Sequence, residues 1–231
     1  MVQKQLPPRP RGRPRAYDPD LALARVMDTF WVAGYAGTSL DDLSAATGMN
    51  RPSLYAAFGD KRALYLKALQ RYRASGRAAL KETLAQDQPL RQTLRQVYAK
   101  AIALYLSGDE AARGCFTIGT AATEAVVNPE VRAFLAETLR SVDNAFEARF
   151  RLARDRGELK LEADPAASAR LATAVMHTLA IRSRAGETRA ALEAVAEAGV
   201  NLICGPPPAT VRKPASLQQE RGSLRRSGRP R

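Results

Sequence analysis

The chain has 231 residues, of which 45% are hydrophobic, so it can form one large or two small domains with ordinary buried cores. No segment reaches the roughly 18 consecutive apolar residues that a membrane-spanning helix needs. The first residues are rich in Pro and Arg, where a signal peptide has an apolar centre. We therefore expect a cytoplasmic protein.

The net charge of +13 is concentrated at the two ends of the chain. Residues 1–80 contain 13 Lys and Arg against 6 Asp and Glu, residues 81–205 contain 16 of each, and residues 206–231 contain 7 against 1. A neutral middle between two basic ends is typical of a protein that lies against the phosphates of a nucleic acid.

Neither a metal site nor a catalytic site is predicted. Cys115 and Cys204 are far apart without CxxC spacing, and the single histidine, His177, lies among apolar residues. No HExxH, GxSxG or phosphate-binding loop is present. We expect no cofactor, and an enzyme on a helical scaffold is the disfavoured alternative.

The periodicity predicts an all-α fold, because apolar residues recur at three- and four-residue spacing and no strand-like alternation persists. Asp18 is predicted to cap a first helix that ends at Gly34, with an apolar face that includes Leu21. A long helix follows from Lys61 to Leu84. Breaks at Gly, Asn-Pro and Asp-Pro predict the later helices, at roughly 89–106, 109–126, 129–156, 165–184 and 187–203.

Two short helices between the first and the long one carry the functional signal. Thr38 is predicted to cap the first of them, with Asp41 at the capping-box position, and the helix runs to Gly48. Asn50 caps the second, which has Pro52 in its first turn. This is the geometry of a helix-turn-helix, in which the second helix enters the major groove of DNA.

The stretch TSLDDLSAATGMNRPSLYAAFGDKRALY, residues 38–65, resembles the DNA-binding domain of the tetracycline-repressor (TetR) family. The resemblance implies a three-helix DNA-binding domain at 16–66 and a helical ligand-binding and dimerisation domain at 67–205. A flexible basic arm at 1–15 and a disordered basic tail at 206–231 would flank them.

The family pattern assigns Arg51 and Pro52 to base edges, and Ser53 and Tyr55 to bases or to the DNA backbone. It assigns Thr38 and Lys61 to phosphates, with Asn50 beside them at the start of the reading helix. These roles suit the chemistry, because Arg can pair with guanine O6 and N7 and hydroxyl or ammonium groups suit phosphate oxygens. Tyr55 as a core residue and Lys61 as a solvated lysine remain alternatives.

The basic arm adds a second candidate contact with DNA. Arg11, Arg13 and Arg15 alternate with Gly and Pro in a GRP run, which has the form of a minor-groove AT hook. The alternative is a solvated tail that adds only non-specific affinity.

The resemblance further implies a homodimer that senses a small-molecule effector. The last two helices supply small apolar residues for pairing, or else for the core within one chain; they are Ala172, Val175, Met176, Leu179, Leu192, Val195, Ala196, Leu202 and Ile203. Candidates for the effector site are Tyr98, Tyr105, Cys115, Phe116, Gly119 and Thr120, which could equally serve packing. A third alternative makes Cys115 a reactive sensor thiol, which requires a lowered pKa.

The function predicted from the sequence is a transcriptional regulator that binds a double-stranded DNA operator. Members of the family typically repress transcription and leave the operator when an effector binds. The effector would tilt the long helix and move the two reading helices out of register with successive major grooves. An architectural protein that binds nucleic acid without sequence preference is the alternative, against which the capped reading helix argues.

Overall fold

In the computed structural model, residues 17–108, 112–159 and 162–206 are described. These ranges contain helices and no strand, as the all-α prediction requires. The α-helices are α1 (Pro19–Gly37), α2 (Leu40–Thr47), α3 (Arg51–Phe58), α4 (Lys61–Leu84), α5 (Leu90–Tyr105), α6 (Ala122–Glu124), α7 (Pro129–Asp155), α8 (Pro165–Arg184) and α9 (Arg189–Cys204). A π-helix, Thr117–Ala121, precedes α6.

The first helix begins where the sequence predicts. The carboxylate of Asp18 accepts hydrogen bonds from the backbone N–H groups of Asp20 and Leu21, and Pro19 occupies the first turn. Gly34, with φ 72° and ψ 176°, breaks the helical path, and one further turn follows to Gly37. The prediction that Leu21 faces the core is wrong, because its side chain is 51% exposed. Phe30 and Trp31, which belong to the same predicted face, are buried, together with Ala22 and Val26.

The prediction of a continuous helix over 109–126 is also wrong. Residues 112–115 are irregular, and regular structure resumes only near Phe116 with the π-helix. Gly114 accounts for the break: its φ is 63°, and a Cβ there would lie 2.7 Å from the carbonyl oxygen of Ala180. Only glycine fits this close approach to α8, and its left-handed backbone interrupts the helix at this point.

The buried residues form two hydrophobic clusters. One joins α5, α7, α8 and α9. The other is the core of α1–α3 and the first half of α4, and it continues into Phe116, Ala121, Val131 and Phe134. The junction between α1–α3 and the rest of the chain is therefore a packed core rather than a linker.

The junction is built around aromatic rings. Phe116 is fully buried, and its ring centroid lies 5.8 Å from that of Trp31 on α1, 5.9 Å from Tyr65 and 5.7 Å from Tyr72, both on α4. Such tilted and edge-on pairs are the favoured arrangement of aromatic side chains. Phe116 thus ties α1 and α4 to the π-helix.

The arm with Arg11, Arg13 and Arg15, and the tail from residue 207 onward, lie outside the described residues. Within the described ranges, no helix is both long enough and apolar enough to cross a membrane.

Candidate nucleic-acid interface

The turn between α2 and α3 is short and well defined. Gly48 ends α2 in the left-handed conformation, with φ 71° and ψ 12°, and its N–H donates to the carbonyl of Ser44. Met49 is buried, and Asn50 then caps α3 by accepting a 2.9 Å hydrogen bond from the N–H of Ser53. This fixes the direction in which α3 leaves the turn.

The third helix has one buried face and one open face. Leu54 is fully buried and Phe58 is 8% exposed, and these two side chains hold α3 against α1 and α4. On the opposite face Pro52 and Ser53 are exposed, and Tyr55 is 46% exposed. The alternative of Tyr55 as a core residue does not hold.

Arg51 is paired with the carboxylate of Asp41, a residue predicted only to cap α2. Its Nε lies 2.9 Å from Oδ1 of Asp41, and its second guanidinium nitrogen lies 2.5 Å from Oδ2. Both side chains are exposed. The hydrogen bonds and the charge of Asp41 raise the pKa of Arg51. Arg51 and Asp41 therefore form a two-point ion pair between α3 and α2.

Thr38 occupies a different position from the one predicted. It is 1% exposed, and its hydroxyl donates a 2.7 Å hydrogen bond to the carbonyl of Gly34. Ser39 is the true cap of α2 and forms a capping box with Asp42, one residue later than expected. Hydrogen bonds from the backbone N–H and then the hydroxyl of Ser39 lower the pKa of Asp42. Thr38 stabilises the break at Gly34, and its buried hydroxyl is engaged in a hydrogen bond within the chain.

Lys61 opens α4 beside the end of α3. Its Nζ lies 4.4 Å from the centroid of the Tyr35 ring, so a cation–π contact steers the ammonium group. Burial and the charge of Glu124 raise the pKa of Tyr35. Lys61 is half-buried, in contrast to the fully solvated lysine of the alternative interpretation.

The comparisons with known proteins agree with this geometry. Residues 23–68 match the family "Bacterial regulatory proteins, tetR family", and residues 89–198 match "Tetracyclin repressor-like, C-terminal domain". The uncharacterized HTH-type transcriptional regulator YezE of Bacillus subtilis is 32% identical over 151 residues, which are 65% of this chain and 77% of that protein. The chain belongs to the TetR family.

The chain is also similar to a second curated protein and to a solved structure. The HTH-type transcriptional repressor ComR of Escherichia coli is 37% identical over 113 residues, 49% of this chain and 54% of that protein. A cysteine variant of the TetR family regulator CifR, solved with a 26bp double-strand operator DNA, superposes with a TM-score of 0.72 at 32% identity. That superposition covers 82% of this chain and 98% of CifR. The protein is a sequence-specific DNA-binding transcriptional regulator.

In this TetR-family regulator, most candidate effector residues are packed inside the chain. Tyr98 is fully buried and donates to the carbonyl of Ala172, and Tyr105 is 4% exposed in the same core. Thr120 donates to the carbonyl of Phe116 at 2.8 Å, so the Tyr65 hydroxyl, 2.6 Å away, donates to Thr120. Desolvation raises the pKa of Tyr65 to about 12.

Cys115 and Gly119 line a cleft of about 310 Å³ between the π-helix and the C-terminal end of α8. They are the two candidate effector residues that the structure brings together at an open space. Desolvation raises the pKa of the Cys115 thiol, although contacts with Ile118 and Tyr72 oppose the shift. This is the opposite of what a reactive sensor thiol requires.

The last two helices divide their apolar residues between two faces. Ala172, Leu179, Leu192 and Ala196 are buried within the chain, so intrachain packing accounts for them. Other apolar residues on α8 and α9 recur at helical spacing in stripes that the described chain leaves exposed; they are Leu171, Ala174, Ile181, Ala194, Ala198 and Leu202. Ile181 is 60% and Leu202 is 70% exposed.

Sequence reasoning missed two residues. Asp41 had been expected only to cap α2, and its place opposite Arg51 depends on the angle between α2 and α3. Arg184, at the end of α8, reaches the end of α1. That contact spans 153 residues of sequence, and no local pattern encodes it.

Proposed function

We propose that the regulator is a homodimeric repressor that leaves its operator when a small molecule binds its C-terminal half. The observation that carries the proposal is the open face of α3, where Arg51, Pro52, Ser53 and Tyr55 stand together on a helix whose other face is anchored. A helix presented in this way fits the major groove.

Each exposed group on this face has a suitable partner on DNA. The fork of Arg51 matches O6 and N7 of guanine, and the ring of Pro52 can contact a thymine methyl. Ser53, Tyr55 and the amide nitrogen of Asn50 are hydrogen-bond donors for bases or phosphates. Lys61 is the phosphate ligand at the start of α4. The proposal leaves out the buried hydroxyl of Thr38.

The arm extends the proposed contact. Arg11, Arg13 and Arg15 precede α1 by only a few residues of sequence, and we infer that they contact the DNA beside α3. Their guanidinium groups suit the narrow minor groove of A·T-rich DNA.

Dimerisation follows from the uncovered stripes on α8 and α9. A continuous row of exposed apolar residues favours burial against another surface, and two copies of the same row satisfy a twofold axis. The symmetric pair would present two α3 helices to half-sites about 34 Å apart. An effector then acts only if it binds more tightly to the state in which this spacing is lost.

The test is fluorescence anisotropy with DNA that flanks the regulator's own gene and with random DNA of equal length. Arg51→Ala is expected to weaken operator binding about 5- to 150-fold and random DNA binding much less. Lys61→Ala is expected to weaken both alike, with a shallower dependence on salt. Arg77→Ala is the matched control, because this exposed arginine lies about 24 Å along α4 from Lys61.

Equal losses on both DNAs for Arg51→Ala would contradict its base-reading role. A wild-type specificity ratio near one would contradict the proposed function and favour an architectural protein.

A further inference from the structure

Among the described residues, one charged side chain lines the cleft between the π-helix and α8. Its walls are formed by Cys115, Ile118, Gly119, Ala180, Ile181, Arg184 and Ala185. All but Arg184 are uncharged and mostly apolar. Desolvation keeps the Cys115 thiol protonated, so it adds no charge. A molecule that fits here meets an apolar surface and one guanidinium.

Arg184 does more than line the cleft. One of its terminal nitrogens passes directly over Gly119, where a Cβ would lie only 2.3 Å from it. The other lies 3.5 Å from the carbonyl oxygen of Trp31 and 3.4 Å from that of Val32. These carbonyls belong to the last turn before the break at Gly34 and carry the partial negative charge of a helix C-terminus. Arg184 therefore caps α1 from the other half of the molecule.

This cap is weak by its geometry. Both contacts are at the long limit for a hydrogen bond, and both acceptors are neutral carbonyls. A carboxylate offers the guanidinium two shorter, charge-assisted hydrogen bonds. Among the described residues, no Asp or Glu lies within 4.0 Å of Arg184, so an acidic ligand would not have to displace one there.

We propose that the cleft binds a small carboxylic acid with an apolar body, whose carboxylate pairs with Arg184 and draws it away from α1. This inference rests on the proposed function, since it names the chemical class of the effector and the residue that transmits its binding. The cleft volume of about 310 Å³ corresponds to about ten water volumes, and hence to a ligand of about ten non-hydrogen atoms.

Loss of the cap would reach the DNA-facing helices through α1. The same end of α1 is fastened at two further points: the indole Nε1–H of Trp31 donates to the carbonyl of Arg113 at 3.1 Å, and Arg113 pairs with Asp28 at 2.8 Å. Removing Arg184 from this set loosens the attachment of α1 without dismantling it. The acid favours the loosened state, because there both terminal nitrogens of the guanidinium are free to pair with its carboxylate.

The experiment uses the full-length regulator with benzoate and octanoate as probes, each of about ten non-hydrogen atoms. Isothermal calorimetry measures their binding, with benzyl alcohol and octanol as neutral counterparts. Arg184→Gln is expected to weaken binding of the acids at least about tenfold, because it removes a charge-assisted pair. Arg184→Lys, which keeps the charge without the fork, is expected to fall between wild type and Arg184→Gln.

Arg182→Gln is the matched control. It removes the same charge from the same helix, but Arg182 pairs with Glu187 at 2.5 Å and does not line the cleft. Acid binding by this variant is expected to stay within about twofold of wild type, since an exposed pair contributes little. Thermal melting of each variant checks that the fold is retained.

Anisotropy on the operator completes the test. Saturating acid is expected to weaken operator binding by wild type and by Arg182→Gln, and to leave that by Arg184→Gln unchanged. The inference is overturned if wild type binds the operator but neither acid at millimolar concentration, if Arg184→Gln binds the acids as wild type does, or if bound acid leaves operator affinity unchanged. A wild type that cannot distinguish operator from random DNA refutes the proposed function instead, and calorimetry still tests the cleft.

Discussion

Phe116→Ala probes the junction between the DNA-facing helices and the rest of the regulator. The Phe116 ring is fully buried and contacts three aromatic rings, those of Trp31, Tyr65 and Tyr72. Its removal leaves a cavity at the point where α1, α4 and the π-helix meet. Because all three neighbours are anchored on long helices, we expect little collapse into that cavity.

The expected loss in free energy of unfolding is about 3–5 kcal/mol, the usual range for Phe→Ala in a core. Burial of the side chain contributes about 1.5–3 kcal/mol of this, and the lost aromatic contacts and the cavity contribute the remainder. Against a total stability of about 5–15 kcal/mol, this is a large fraction.

Urea unfolding measures the loss, at fixed protomer concentration because dimerisation would contribute to stability. The regulator has a single tryptophan, Trp31, so its fluorescence reports on this junction while circular dichroism reports on all helices. The control is Val127→Ala, whose side chain is 76% exposed and whose effect should stay within about 0.5 kcal/mol. A loss below about 1 kcal/mol for Phe116→Ala would refute the view that this ring holds the junction together.

Three further predictions test separate parts of the structure. Asp41→Asn is expected to strengthen operator binding and to leave the fold intact, because no ion pair then has to be broken before Arg51 contacts DNA. Weaker operator binding in anisotropy would contradict this and would mean that Asp41 orients Arg51 for DNA. Burial lowers the pKa of His177, so the unfolded chain takes up a proton more readily and stability should fall as pH drops from about 7.5 to 5.5. Urea midpoints across this range should lose part of that slope in His177→Gln, and an unchanged slope would exclude His177 as the cause. Gly34→Ala should lower the stability by about 1–3 kcal/mol in thermal melts, because a backbone with φ 72° and ψ 176° is specific to glycine. No neighbour lies within 4 Å of the added Cβ, so the loss would measure backbone strain and not a steric clash. A neutral effect would show that the backbone can relax.

The local elements of the fold were predictable because their signals are local. Asp18, Asn50 and Asp60 each cap the helix that follows them, and the bounds of α4 match the prediction from Lys61 to Leu84. The cap of α2 was misplaced by one residue, because Thr38 and Ser39 are both good caps and the choice depends on the break at Gly34. A sequence pattern does not decide which of two adjacent capping residues begins the helix.

Contacts between distant segments could not be predicted in the same way. A helix was predicted through residues 114–120 although their Gly, Thr and Cys content is unusual for one. The close approaches of Gly114 to α8 and of Gly119 to Arg184 involve residues distant in sequence, so no local pattern reveals them. The sequence does not distinguish whether Phe116 lines a pocket or belongs to a core, because the rings that bury it lie on α1 and α4. On α8 and α9, small apolar residues occupy both the inner and the outer face, so composition alone does not separate core from stripe.

The packing also identifies a point at which α4 can bend. Tyr65 and Tyr72 fasten the first half of α4 to α1 and Phe116, so that half moves with the DNA-facing helices. Residues 74–79 are all exposed, and nothing lies within 4 Å of a Cβ added at Gly76. The Ser75 hydroxyl donates to the carbonyl of Arg71, one turn back. A Ser-Gly pair with such a bond is a common cause of helix bending.

We therefore expect α4 to flex at Ser75–Gly76 rather than to tilt as one rod. Gly76→Ala should stabilise the regulator by about 0.5–1 kcal/mol, because alanine is the better helix former and finds open space here. If flexing at this point transmits effector binding, the same variant should bind the operator as wild type does and release it less readily. If Gly76→Ala raises the melting temperature but releases the operator as readily as wild type does, the bend that transmits effector binding lies elsewhere.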